Sequence, residues 1–386
     1  MNNQTAALVL DVGTSSIKAF VFDQTYQCLA QSERKLSICH PKRAHVEQNP
    51  KELLRLSATV LKTAVRLSGI HPSRMVMGIT NQRETTILWD AKTGKSVYPA
   101  IVWQDRRTEK QCYSLKRHAS DVRSRTGLVL SSYFSASKIA WVLRNVPKAQ
   151  TLIRQNRLLF GTVDSWLLWN FVEGRPHLTD FTNAARTLLF NIQTLFWDTK
   201  LLGIFGVPRE LMPKVVPSQY EYGRVKKEIL GYSIPLLAVC GDQQSGMAAA
   251  GSKKGTTKVT YGTGTFVMQS LGTIFAAQKN FFTTLIPNHG TPYYALEAKI
   301  DVGGKEVERA LHSKKKLIAQ LTRIACLVDK RLKELPLQPR VLVIDGGVTR
   351  DGLMKTIQEQ VSGIPIQPLS TFHGTALGIA KLLLDR

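Results

Sequence analysis

The sequence predicts a duplicated α/β fold, two similar domains facing each other across a cleft, and two repeated patterns support it. A strand, a small-residue turn and a second strand occur twice, as Leu10-Asp11-Val12-Gly13-Thr14-Ser15-Ser16 and as Tyr261-Gly262-Thr263-Gly264-Thr265. A strand running into an acidic turn and then a helix also occurs twice, at Gly241-Asp242 and at Asp345-Gly346-Gly347. Ligands of such sheets sit at the carboxyl ends of the strands. A chain of 386 residues suits two domains of the usual size. Their expected ranges are 1–245 and 246–386, with no linker rich in Pro, Gly or Ser between them.

Each element follows from its local pattern. ALVLDVGTSSIKAFVFD is two apolar runs around a Gly/Ser/Thr turn, a tight hairpin of buried strands. Residues 51–68 place apolar side chains at helical spacing after Asn49-Pro50, a helix start. MVMGITNQRETTILWD and SVYPAIVWQD read as strands with charged loops, and IPLLAVCGDQQSGMAAAG as a buried strand, a polar turn and a helix of small residues. KVTYGTGTFVMQSL is a second hairpin, and RVLVIDGGVTRDGLMKTIQEQVSG is a strand, a Gly-Gly turn and a helix.

Composition narrows the function classes. The hydrophobic set is 43% and charged residues are 21%, which excludes a disordered chain. No apolar run reaches the length of about 18 residues needed to span a bilayer, and no cleavable leader is expected at MNNQTAALVLDVG. Five scattered cysteines without a CxxC pair predict reduced thiols in a cytoplasmic protein. Lys plus Arg is 52 and Asp plus Glu is 28, a formal net charge of +24. Such an excess draws in phosphorylated ligands, and polyanions generally. The basic residues are spread along the chain, and the densest cluster, Lys314-Lys315-Lys316, has no interleaved aromatics. A generally basic surface is therefore expected, with no specific nucleic-acid partner and no membrane insertion. Association with nucleic acid or an anionic membrane through that surface is the weaker alternative.

Several residues are placed where chemistry is done. Gly, Ser and Thr let successive backbone N–H groups approach a phosphate, and Gly13-Thr14-Ser15-Ser16 and Gly262-Thr263-Gly264-Thr265 both qualify; ordinary hairpins are the bland reading. Lys18, just past the first turn, could neutralise phosphate charge or be a surface lysine. Asp11 ends an apolar strand, where an unpaired carboxylate is costly, and suits Mg²⁺ held through water. Asp242 follows the run Ile234–Cys240; a carboxylate there can take a proton from an attacking hydroxyl or cap a helix. Arg83 and Glu84, in Asn81-Gln82-Arg83-Glu84-Thr85, can donate to and accept from vicinal hydroxyls, or form a solvated turn with a weak ion pair. His373 and the cysteines show no metal-ligand spacing.

Longer stretches carry a resemblance. GITNQRETTILWD, AIVWQDRRT, TGLVLSSYFSASK, LFGTVDSWLLW, LTDFTNAARTLLFNIQTLFWD, CGDQQSGM and TYGTGTF span most of residues 5–297, and IDGGVTRDGLM and HGTALGIAKLL follow in the right order. The chain resembles the FGGY family of carbohydrate kinases, and within it the branch that phosphorylates glycerol. The resemblance implies two actin-like ATPase (ribonuclease H-like) domains flanking a cleft, with polyol on the first and Mg-ATP between them. It implies ATP-dependent conversion of glycerol to sn-glycerol 3-phosphate, with ATP and Mg²⁺ as cofactors and a homodimer as one assembly. Carried over residue by residue, Arg83, Glu84, Tyr133, Asp242 and Gln243 would bind the polyol, with Trp103 and Phe266 as the apolar wall. All seven are present, which implies glycerol rather than a longer sugar. Asp242 would be the catalytic base. Asp11, Gly13, Thr14, Ser15, Ser16 and Lys18 match the first phosphate loop, with Lys18 where the family has arginine. Thr263 and Gly264 match the second loop, Gly304 a further ATP contact, and Gly346 with Gly347 the adenosine motif.

The departures cluster in the second half. Glu308 stands where a glutamine serving ATP is usual, Asp351 where an asparagine near adenine is usual, and His373 where a glutamate is usual. A family segment is missing before LIAQLTRIACLVDKRL, and the family's C-terminal extension has no counterpart. The regulatory loop has no match around GRVKKEILGYSIPL, so control by fructose bisphosphate is not expected. An acid beside triphosphate costs on the order of 1 kcal/mol at exposed separations. A degenerate kinase that binds polyol or regulates, and a kinase for another small polyol, are the alternatives.

Overall fold

The computed structural model describes residues 5–262, 264–287 and 293–385, apart from the side chain of Lys305. The chain forms two compact units, Met1–Gln244 with Ile379–Arg386, and Ser245–Gly378. Each is built on one six-stranded mixed sheet.

In the first unit the Gly13–Ser15 turn joins β1 (Ala6–Val12) to β2 (Ser16–Phe22) as an antiparallel hairpin, and β3 (Cys28–Lys35) pairs with β2. On the other side of β1 lie β4 (Met75–Asn81), parallel to it, and β6 (Ile234–Gly241), parallel to β4. The edge strand β5 (Gln219–Val225) runs antiparallel to β6, giving the order β5-β6-β4-β1-β2-β3. Strands buried on both faces read as continuous apolar runs, and β1, β4 and β6 do. Helix α1 (Pro50–Ser68) starts where Asn49 accepts a hydrogen bond from the Lys51 amide and ends at Gly69, φ 66°. Its Leu53, Val60, Leu61 and Ala64 are buried in the core with Leu8, Leu10 and Ile17.

Residues 82–233, between β4 and β6, carry α2 (Ser135–Asn145), α3 (Val163–Phe171) and the single turn α4 (Phe181–Ala184). Of the expected strand SVYPAIVWQD only Ala100–Ile101 forms, pairing with Glu47–Gln48. Pro99 lacks a donor, and beyond Val102 the chain turns so that Asp105 accepts from the Val46 amide at 2.6 Å and from Arg107. No polar turn separates β6 from α5 (Asp242–Ala250); strand becomes helix at Asp242.

The second unit repeats the pattern. The strands β7 (Thr257–Tyr261) and β8 (Thr265–Gly272) form its hairpin. Strand β10 (Tyr293–Ile300) pairs with β8, and β9 (Phe282–Ile286) pairs with β10 at the edge. Helices α6 (Gly304–Ala310) and α7 (Lys314–Lys333) lead to β11 (Leu342–Asp345), parallel to β7. Helix α8 (Leu353–Ser362) then leads to β12 (Ile366–Pro368), parallel to β11. Gly346 adopts φ 104°, and a Cβ there would lie 2.4 Å from the Tyr261 carbonyl oxygen, so only glycine fits.

The expected second domain runs to residue 386, but the last turns of α9 (Gly374–Leu384) pack with the first unit. The cause is Gly78 of β4: a Cβ there would overlap Ile379, at 2.4 Å, and crowd Leu383, at 3.3 Å. Gln219 donates to the Leu382 carbonyl at 2.8 Å and Tyr26 donates to Asp385.

Candidate active site

The carboxyl ends of β4 and β6 carry the first unit's polar cluster. Asn81 through Thr86 are all buried, Arg83 at 3% exposure and Glu84 at 1%, so the loop is no solvated turn. Arg83 and Glu84 each have a charged partner elsewhere in the unit. Arg83 Nε lies 3.1 Å from Asp242 Oδ1, and its Nη1 donates to Gln244 Oε1 at 3.1 Å. Gly241 makes room, since a Cβ there would sit 2.9 Å from Arg83 Cγ and Cδ. Glu84, at φ 62°, turns instead to Arg186, whose Nε donates to its Oε1 at 2.6 Å, while Ser135 Oγ donates to its carbonyl at 2.9 Å. For a residue other than glycine this left-handed conformation is strained, and the buried partners hold it.

Asp242 keeps 29% of its side chain exposed. Burial raises its pKa to about 6; Arg83 opposes that shift, and the carboxylates of Glu84 and Asp11 add to it. Its Oδ1 also accepts the Gln243 amide at 2.7 Å, so this carboxylate at the start of α5 is at once reachable, poised and locally anchored. Gln243 beside it is half-buried.

Two aromatic rings stand near this cluster. Trp103 and Tyr133 lie with ring centroids 5.4 Å apart, and the Trp103 indole donates to Thr14 Oγ1 at 2.8 Å. The Arg186 guanidinium lies 5.8 Å from the Tyr133 ring and 5.1 Å from the Phe134 ring. Lys138, fully buried, donates to the Tyr133 carbonyl at 2.8 Å and to that of Trp103 at 3.4 Å. Burial lowers its pKa to about 8, against the nearby charges of Glu84 and Asp105.

The first glycine turn is pinned from outside: Gln48 donates to the Thr14 carbonyl at 2.7 Å and the Leu36 amide to that of Ser15 at 2.9 Å. Asp11 faces Lys18 across the hairpin, and Lys18 Nζ lies 3.6 Å from Glu33. Ser16, half-buried, opens β2, and the Cβ that Gly13 lacks would come within 3.0 Å of its carbonyl oxygen.

In the second unit Thr263 lies outside the described residues. Gly264 adjoins Phe266, whose ring a Cβ would meet at 3.4 Å, and the Gly304 amide donates to Gly262 at 2.8 Å, tying the start of α6 to the second glycine turn. Gly347 has open space where a Cβ would stand. Glu308 and Asp351 are exposed, Asp351 accepting the Leu353 amide at 3.1 Å. Beneath the turns Lys258 Nζ lies 2.8 Å from Asp345 Oδ1, both nearly sealed. Cβ atoms at Gly246 and Gly374 would strike Lys258 and Asp345 respectively.

The sequence did not single out Lys138, Asp180, Arg186 or Lys258. Their one local signal is a charged residue within an otherwise apolar or small-residue run. Among the described residues no group of three or more His, Cys, Asp or Glu could hold a metal ion.

Two sheets with the same hairpin-plus-parallel-strand order, each with a glycine turn at its strand ends, define the two-domain actin-like ATPase class. The crystal structure of a glycerol kinase from Plasmodium falciparum with ADP superposes with a TM-score of 0.87 at 25% identity, covering 98% of this chain and 89% of that one. The model of the N-terminal domain of the FGGY family of carbohydrate kinases matches residues 6–249. The chain belongs to that family. A glycerol kinase of Polaromonas sp. is 41% identical over 79% of this chain, and one from Nitratidesulfovibrio vulgaris is 36% identical over 97%. The match covers 62% of the Polaromonas relative's length and 88% of the other's. No helix among the described residues is long and apolar enough to cross a membrane.

Proposed function

We propose that the protein transfers the γ-phosphoryl group of ATP to glycerol, giving sn-glycerol 3-phosphate, with polyol on the first unit and nucleotide on the second. The observation that carries the reading is the Asp242 carboxylate, partly exposed, 3.1 Å from buried Arg83 and raised to about 6 in pKa. Relatives named glycerol kinase at 36–42% identity support the substrate.

A base must be ionised at the working pH yet basic enough to take a hydroxyl proton, and a pKa near 6 meets both needs. Arg83 donates to one polyol oxygen while holding the base, Glu84 accepts from another hydroxyl, and Gln243 completes the polar side. Trp103 and Tyr133 cover the carbon backbone on the first unit. Phosphoryl transfer needs positioning and charge neutralisation more than covalent chemistry. On the first unit the N–H groups of Gly13–Ser16 and Lys18 serve these needs; on the second, the turn at Gly264 and the start of α6 at Gly304 do, with Gly347 open for adenosine. Glu308 and Asp351 lie at the nucleotide positions.

The donor set fits a hydrated Mg²⁺. Asp11 and Asp242 are two hard oxygen donors close enough to influence each other's charge, and Mg²⁺ is ordinarily held by one or two carboxylates, waters and phosphate oxygens. Asp11 would hold it through water, and the ion would screen the charge of the transferring phosphate. A cytoplasmic location is part of the proposal, supported by five unpaired cysteines.

ADP release with glycerol, followed for the wild type and Asp242→Asn, tests the reading. The variant is expected to lose about 10²–10⁴-fold in kcat while still binding glycerol. Equal rates in both, or none in either, would overturn it.

A second reading is polyol binding without turnover. The three-residue link between α6 and α7 and exposed Glu308 favour it. Calorimetry showing glycerol binding but no Mg-ATP binding would select it.

A further inference from the structure

We infer that Asp180 is a positioning residue that fixes both halves of the polyol site from beneath through two separable arms. Its carboxylate takes hydrogen bonds from Thr182, Asn183 and Ser218. The inference rests on the proposed glycerol kinase activity only for its kinetic consequences.

Asp180 is fully buried at the end of the short strand Leu178–Asp180 and caps α4. Five donors converge on its carboxylate. Oδ1 accepts the Asn183 amide at 2.9 Å and Asn183 Nδ2 at 2.8 Å. Oδ2 accepts the Thr182 amide at 3.0 Å, Thr182 Oγ1 at 2.7 Å and Ser218 Oγ at 2.7 Å. A helix cap needs only one or two of these. An amide in its place would turn donors toward donors on one side, so the site requires an acceptor with two equivalent oxygens.

The donors lead outward along two routes. On the first, Asn183 exchanges hydrogen bonds with Asn81, which donates to it at 2.9 Å and accepts from it at 3.2 Å. Asn81 is the last residue of β4, two before Arg83 and three before Glu84. On the second, Thr182 Oγ1 donates to Asp180 and therefore offers its lone pair to the Gly241 amide, at 2.8 Å. Gly241 is the last residue of β6, directly before Asp242. Neighbouring parallel strands are thus clamped at their carboxyl ends by one carboxylate on the insertion between them. Misplacement of reacting groups by about 1 Å can cost 10²-fold, so such a clamp has catalytic weight without touching substrate.

The arms make distinct predictions. Thr182→Val keeps the shape and removes the hydroxyl, loosening only the Asp242 arm. Asn183→Ala removes only the side chain that reaches Asn81. Hydrogen–deuterium exchange of the full-length protein reads both without need of turnover. Thr182→Val is expected to raise exchange at 239–243 and leave 79–86 at the wild-type level. Asn183→Ala is expected to do the reverse, Asp180→Asn to raise both, and Thr182→Ser to restore the wild-type pattern. In steady-state assays Thr182→Val should lower kcat about tenfold with KM for glycerol little changed, and Asn183→Ala should raise KM about tenfold, in line with losses of supporting contacts.

Uniformly raised exchange, or the same pattern for both arms, would show a merely structural role and overturn the inference. So would wild-type exchange in Asp180→Asn. The expected exchange patterns in a wild-type protein that does not turn over glycerol would uphold the clamp and sink the proposed function instead.

Discussion

The two sheets share a frame and differ in what is hung on it. In each, a hairpin is joined to a third antiparallel strand on one side and two parallel strands on the other. Between the two parallel strands the second unit has only α8 and short connections, residues 346–365, whereas the first has residues 82–233. That insertion contains Ser135 and Arg186, which hold Glu84, and Asp180, which reaches both strand ends, together with Trp103, Tyr133 and Lys138. The second unit's ends are braced within the frame, by Lys258, Asp345 and three glycines. The lesson is that the site proposed for a small polyol has a built wall, while the turns proposed for phosphate on the second unit have bare backbone and one buried charge pair. Glu308 and Asp351, at the proposed nucleotide positions, lie in the half with less scaffolding.

The sharpest way to break the comparison is to remove one charge from each bracing pair. Lys258→Met and Arg186→Met each leave a carboxylate buried, at a cost of about 3–5 kcal/mol, read as lowered denaturation midpoints. An unchanged midpoint in Lys258→Met would show that the second frame does not depend on its pair. Gly346→Ala should cost about 1–3 kcal/mol through strained backbone, more if the Tyr261 carbonyl cannot yield. No loss there would mean the turn is looser than its φ of 104° implies.

The proposed chemistry sharpens the comparison through pH. Asp242 must be ionised to accept a proton, and burial sets its pKa at about 6. Below that value kcat/KM for glycerol should fall about tenfold per pH unit, and above it stay level. Arg83 opposes the rise, so Arg83→Met should move the acid limb to higher pH; a limb that stays in place would remove Arg83 from the base's environment. The smallest effect is the control. Asn49→Ala removes the α1 cap and should cost about 1 kcal/mol with no change in the pH profile.

What was legible in the sequence was what is local. The Gly13–Ser15 and Gly262–Gly264 turns, the start after Asn49 and the strand before Gly346 announce themselves within ten residues, because turn chemistry and apolar runs are short-range. The repetition of those signals also conveyed the duplicated frame. Arg83 and Glu84 were read as donor and acceptor for vicinal hydroxyls, with a solvated turn as the bland alternative, and neither reading named what holds them. Their actual partners, Asp242 and Arg186, lie more than 100 residues away in sequence, and no spacing rule reaches that far. Lys138 was invisible for a related reason. SASKIAWVL reads as an ordinary amphipathic helix, and only the packed insertion shows its lysine pointing inward to two carbonyls. Of the site positions, the strand-end groups were readable from pattern, while the aromatic wall entered only by resemblance.

The packing of Gly78 against Ile379 and Leu383 bears on how the molecule is made. In vectorial synthesis a domain usually folds as a unit once it has emerged. Here residues 1–244 leave the ribosome with Gly78 of β4 still uncovered, and its cover, Ile379 and Leu383, arrives only after residues 245–378 have been translated. The nascent first lobe must wait, with that part of its sheet bare, for the whole of the second unit to be made.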